Sequence, residues 1–304
     1  MRPSRAVLIF CLALPLLSVA ADGSTPKEEA QDMPKGHFVV VSSANKPTPG
    51  EIAAQLEPAW QTFHDVFGVD PAVVKVNVSV TAGAGAPPSQ ADPDRSGGAP
   101  AHEIAWAIKE DEALSSQTFS DLAHEITHIY FIDYMEDQGG LHQAHAWLHE
   151  AVACYAERDP FRRNREQWAR DHLSDRIPLA QLFTMTNPQK TNPLVELTVK
   201  LQEQLARGEI KVEDMNRQIS DFATTHATEL SQAGIRNMTY YSESLSLFEF
   251  LLATEGKEFI RTMCQALKAG KSMDDVIRSS KTYPGGIPQL EQAWVAWVQA
   301  DRGD

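Results

Sequence analysis

The chain has 304 residues, 42% of them hydrophobic, and 41 acidic against 27 basic side chains give it a formal charge of −14. That length suits one large domain or two lobes around a sizeable core. A chain this acidic is a poor partner for nucleic acid or for anionic membrane surfaces.

Residues 1–20 read as a secretory signal peptide. Arg2 and Arg5 form a basic start, and residues 6–19 form an apolar run broken only by Pro15 and Ser18. Ser18-Val19-Ala20 or Val19-Ala20-Ala21 offers a small-x-small cleavage site. The run is too short for a good membrane span, and Cys11 follows Phe10, which disfavours a lipid anchor. The expected mature protein is soluble and exported, periplasmic or secreted, with no membrane partner after cleavage. Its charge becomes −16, because the removed segment holds two Arg and no acid. Cys154 and Cys264 can then pair in an oxidising compartment or stay as buried thiols on helices. The sequence is silent on oligomeric state.

Residues 21–36, rich in Lys, Glu, Pro and Asp, read as a disordered leader. Residues 37–42 read as a strand. Residues 49–67 form a helix with Ile52, Leu56, Trp60, Phe63 and Phe67 along one stripe. Residues 73–80 alternate Val74, Val76, Val78 and Val80 with Lys75, Asn77 and Ser79, the pattern of a second strand. Residues 81–100, dense in Gly, Ala, Pro, Ser and Asp, predict a loop. Residues 102–109 alternate again as a third strand.

From residue 116 the signal turns helical. Ser115 or Ser116 can cap a helix reaching about Met135, and residues 137–140 (Asp-Gln-Gly-Gly) stop it. A second helix is expected over about 143–158. Further helices are expected over 192–207, 212–226, 238–254, 257–268, 273–279 and 288–298. The layout is α+β: an N-terminal α/β lobe over 37–136 and a helical C-terminal lobe over 137–304.

The first of the central helices carries His124-Glu125-Ile126-Thr127-His128. Positions i and i+4 share a helix face, so both imidazoles can reach one metal ion. Glu125 projects beside that ion, where it can act on a water. A catalytic zinc site has three protein ligands and an open position. The third could be His, as in the longer motif of metzincins, which would place Gly at 131 and His at 134, but the chain has Phe131 and Tyr134 and does not resemble that motif. The second helix offers Glu150, whose neighbours one turn away are Ala146, Trp147, Ala153 and Cys154. A carboxylate ringed by apolar residues should be buried and needs a partner. His142, His145 and His149 are rival ligands, but His145 and His149 lie on another face and read as exposed helix histidines.

His-Glu-x-x-His followed after 21 intervening residues by Trp147-Leu148-His149-Glu150 resembles the gluzincin metallopeptidases, the thermolysin-like zincins. The stretch WLHEAVACYAE is similar to the peptidase MA-like family pattern Trp-Leu-x-Glu-Gly-x-Ala-x-Tyr, with Ala151 in place of Gly. The likeness continues, more loosely, in Tyr241-Ser242-Glu243-Ser244 with Leu247, Phe250 and Leu251, in the closing helices and in the early strand-helix-strand.

The resemblance implies a zincin-like fold: a small N-terminal mixed sheet with helices, an active-site helix pair and a helical C-terminal lobe. It implies Zn2+ held by His124, His128 and Glu150, with Glu125 as general base. A Tyr or His from the C-terminal part commonly steadies the oxyanion in this group, and Tyr241 is the candidate with Tyr240 its rival. Some members carry an acid one turn after the ligand Glu that orients a ligand His. Cys154 stands there, so that partner is missing or comes from elsewhere.

The strand at 102–109 resembles the edge strand on which zincins lay an extended substrate. The Gly-x-Met-Glu-Asn signature of aminopeptidases is absent, which tilts the expectation toward an endopeptidase acting on peptides or proteins. A catalytically inactive binding module and a hydrolase of non-peptide amides are the alternatives.

Overall fold

The computed structural model describes residues 37–42, 48–81, 86–90, 103–109, 115–136 and 145–300. The expected signal peptide and leader, His142 and the stop at 137–140 lie outside them. Four strands form one sheet: β1 (Phe38–Ser42), β2 (Val74–Thr81), β3 (Ala86–Gln90) and β4 (Glu103–Lys109), in the order β1-β2-β4-β3. β1, β2 and β4 run parallel, and β3 pairs antiparallel to β4. Alternation fixes the buried face, where Val74, Val76 and Val78 meet Phe38, Val40, Ile104 and Trp106.

Two expectations change here. Part of 81–100 is the strand β3, despite Pro87 and Pro88. Its register shifts between Ala86 and Ser89, and proline is tolerated at the end of a sheet where its missing N–H is not needed. As a result β4 is paired on both sides and is not an edge strand.

Helix α1 (Pro49–Phe67) covers the sheet. Thr48 and Glu51 close a capping box at its start, and Gly68 ends it in the left-handed region at φ 70°. Its stripe Ile52, Leu56, Trp60, Phe63 and Phe67 is buried as expected. Helix α2 (Ser116–Met135) is capped by Ser115, whose side chain accepts the Thr118 N–H. It lies against α1 and β3, and it turns off at Glu136 with φ 53°. Lys268 Nζ donates to the Tyr134 carbonyl at 3.0 Å, satisfying an end group of this helix.

Helix α3 (Ala146–Tyr155) packs on α2 and is buried along nearly its whole length. Next come α4 (Phe161–Asp171), the short α5 (Leu179–Leu182) and a 3-10 turn at Pro188–Thr191. Helices α6 (Pro193–Ala206), α7 (Val212–Thr225) and α8 (Ala227–Thr254) follow. The chain closes with α9 (Gly256–Lys268), α10 (Met273–Ser279) and α11 (Ile287–Gln299).

Helix α8 begins eleven residues before the expected 238. That first part is largely exposed and lacks a long apolar stripe, while Thr239 to Leu251 is buried against α3 and α4. Helix α4 was not anticipated either, because its sequence FRRNREQWARD has almost no apolar face. One hydrophobic core runs from Phe38 in the sheet to Val298 in α11. Cys154 and Cys264 are buried free thiols on α3 and α9. No helix among the described residues is long and apolar enough to cross a membrane.

Candidate metal centre

Helix α2 sets His124 and His128 one turn apart, with the ring planes nearly perpendicular at 83°. Their Nε2 atoms approach to 3.1 Å. Helix α3 brings Glu150 against both, Oε2 lying 3.3 Å from His124 Nε2 and 3.4 Å from His128 Nε2. All three side chains are largely buried. The three expected ligands therefore converge on one point, although 21 residues separate the helix positions that supply them.

The donor set fits a divalent cation. Tetrahedral ligands at about 2.0–2.1 Å from zinc stand roughly 3.3–3.4 Å apart, the spacing of this triangle. Glu150 Oε2 is buried and accepts no hydrogen bond. Burial by itself would push the Glu150 carboxyl up. The neighbouring His128 and His124 outweigh it and hold that carboxyl well below the usual range. Burial likewise opposes charge on His124, yet Cys154, Glu150 and Glu157 hold its pKa well above the ordinary value.

The other face of the His124 ring explains its orientation. Nδ1 lies 2.9 Å from Glu157 Oε1. Arg165 grips the same carboxylate with two bonds, Nε to Oε2 at 2.6 Å and Nη2 to Oε1 at 2.7 Å. With Nδ1–H directed at Glu157, Nε2 keeps its lone pair for the cluster. Burial favours the neutral acid, but Arg165 and His124 prevail and hold Glu157 down at about 2. The orienting acid absent at Cys154 thus comes from Glu157, two turns beyond Glu150. Cys154 Sγ sits 4.0 Å from the same Nδ1, and burial pushes its thiol up to about 11.

Tyr241 reaches this site from α8, its ring 6.2 Å from that of His124. Its hydroxyl donates to Gln189 Oε1 at 2.7 Å and accepts from Asn187 Nδ2 at 3.0 Å. Burial, then Glu150, raises its pKa well above normal, so it stays a phenol. Tyr240 is fully buried in the hydrophobic core. Glu125 is half-buried beside His124.

His149 is not the exposed histidine expected. It is wholly buried, edge-on to Phe131 at 4.7 Å and stacked near His128 at 6.5 Å. His145 is half-buried at the N-cap of α3. Neither belongs to a donor cluster among the described residues.

Four residues of the site had not been anticipated: Glu157, Arg165, Asn187 and Gln189. The motif stretch includes Glu157, but only the fold shows that it faces His124. Arg165 had a faint signal as a cation in a helix without an apolar stripe. Asn187 and Gln189 sit around a 3-10 turn with no motif at all. No protein-family model matches the chain, and no curated protein is significantly similar to it.

Proposed function

We propose that this chain is an exported zinc-dependent metallopeptidase of the gluzincin type, with a zincin-like fold. The observation that carries the reading is the buried triangle of His124 Nε2, His128 Nε2 and Glu150 Oε2, with edges of 3.1–3.4 Å, on a helix where Glu125 directly follows His124. Bound there, zinc would polarise a carbonyl and lower the pKa of water toward neutrality. Glu125 takes the proton from the attacking water and returns it to the leaving amine. Tyr241, kept as a phenol by burial, becomes the donor for the developing oxyanion when its O–H turns from Gln189 Oε1. Glu157 holds the His124 ring in the tautomer that leaves Nε2 free. An endopeptidase is favoured, since the aminopeptidase signature is absent from the sequence.

The test is metal analysis of the mature protein, purified without chelators, together with Glu125→Gln. The expected result is one zinc per chain in both forms. Hydrolysis of a diverse peptide library should fall about 100- to 10,000-fold in the variant. Absence of zinc from the wild type would overturn the site. Zinc without cleavage of any peptide would overturn the peptidase and leave a metal-binding module or a hydrolase of non-peptide amides.

A further inference from the structure

We infer that Asn187 is a positioning residue that makes Glu150 a one-oxygen ligand and ties it to Tyr241. This rests on the metal site proposed above. Asn187 is buried and caps the 3-10 turn at Pro188–Thr191. Its Oδ1 accepts the Gln189 backbone N–H at 2.8 Å. That bond fixes which end of the amide points where, a question that amide shape alone leaves open. Nδ2 must then face the site, and both of its hydrogens find acceptors there. One goes to Glu150 Oε1 at 2.7 Å, the other to the Tyr241 hydroxyl at 3.0 Å.

The consequence follows from donor and acceptor counts. Tyr241 accepts from Asn187 and gives its own proton to Gln189 Oε1, so the direction of every bond in the chain is set. Glu150 Oε1 is capped, and Oε2 alone is turned to the two imidazoles. A carboxylate free at both oxygens can chelate a cation and fill a further coordination position. Capping Oε1 keeps that position for water or substrate. The same amide holds the Tyr241 hydroxyl beside the third ligand, linking that side chain to the proposed metal site. A closed path results: Glu150, Asn187, Tyr241, Arg165 stacked on the Tyr241 ring at 5.2 Å, Glu157 and His124.

The experiment measures zinc affinity by chelator competition in the full mature protein, for wild type, Asn187→Leu, Asn187→Ala and Tyr241→Phe. Loss of the Asn187 amide should weaken zinc about 10- to 100-fold, as expected for a group supporting a ligand. Tyr241→Phe leaves the Asn187–Glu150 bond intact and should not change it. Cobalt(II) in the zinc site gives the decisive signature. Its visible absorption should weaken in both Asn187 variants, as the second Glu150 oxygen joins the metal and four-coordination is lost. If Asn187→Leu does not fold, Asn187→Ala carries the same comparison.

Zinc in the wild type with unchanged affinity and cobalt spectrum in the variants overturns the role of Asn187 and leaves the metal site standing. No zinc in the wild type overturns both.

Discussion

The two nitrogens of His124 look onto two acid sites built on opposite terms. On the Nδ1 side, Glu157 meets Arg165 through two short bonds, and the charge is balanced within the protein. On the Nε2 side, Glu150 is just as buried, and among the described residues it meets His124, His128 and the neutral amide of Asn187. Two clusters sharing one imidazole could each hold an ion by composition. Charge accounting separates them. The side already neutralised by arginine needs no further cation, and the side with no fixed cation among the described residues is the one proposed above for the metal.

Glu243 shows a third solution for a buried carboxylate. It accepts the Ile177 N–H through both oxygens, at 3.2 and 3.0 Å. Burial dominates over that bond and over Arg176, and pushes the carboxyl up to about 8. The acid held by arginine is ionised, the acid facing two histidines is ionised, and the acid left with a backbone amide keeps its proton.

Removing Glu150 should have the largest effect on this contrast. In Glu150→Ala, zinc affinity should drop at least about a hundredfold, the scale of breaking a buried charged set. A drop of that size in His149→Ala, with Glu150→Ala unaffected, would assign the third ligand to the wrong residue. Arg165→Met comes next. It strands Glu157 without its cation and should lower stability by about 3–5 kcal/mol in denaturant melts. A loss near zero would mean that Glu157 does not depend on Arg165.

Glu157→Gln should weaken zinc about 10- to 100-fold by loosening the His124 ring. Unchanged affinity there would remove Glu157 from the site.

Two smaller effects complete the set. The folded chain holds the Glu243 proton up to about 8, whereas a free carboxyl loses its proton at 4.5. Its contribution to stability is therefore full below about 4.5 and is lost as pH rises through 8. Glu243→Gln cannot lose that proton, so its melting temperature should gain on the wild type steadily between pH 5 and 9, roughly across that window. A constant gap would show that Glu243 does not titrate there. Glu157 has the opposite sign: its contribution is present above 4.5 and lost as pH falls through about 2. Cys154→Ser should leave zinc content unchanged. Loss of zinc in that variant would move the ion to the Nδ1 side.

The legible parts of the chain share one property: their signal is local. The caps of α1 and α2, the alternating valines of β2 and the stripe of α1 all lie within a few residues of what they specify. β3 escaped because two prolines mask a strand that exists only through pairing with β4. Helix α4 escaped because its arginines pack against acids on other elements. Arg165 holds Glu157, and Arg162 holds Glu249 on α8 at 2.6 Å. The early part of α8 carries too few apolar positions to announce a helix.

The sequence alone determined that His124 and His128 share a helix face and that Glu150 is buried on the next helix, because helical periodicity and apolar neighbours decide both. Only the tertiary structure decided which His124 nitrogen faces the cluster, that Glu157 lies against the other nitrogen, that the Tyr241 hydroxyl is tied to Asn187, and that Asn187 caps Glu150. Each of these is a contact between α2, α3 or α8 and a segment remote in the chain or on another element. Such contacts follow from how helices pack, and no spacing along a single element encodes them.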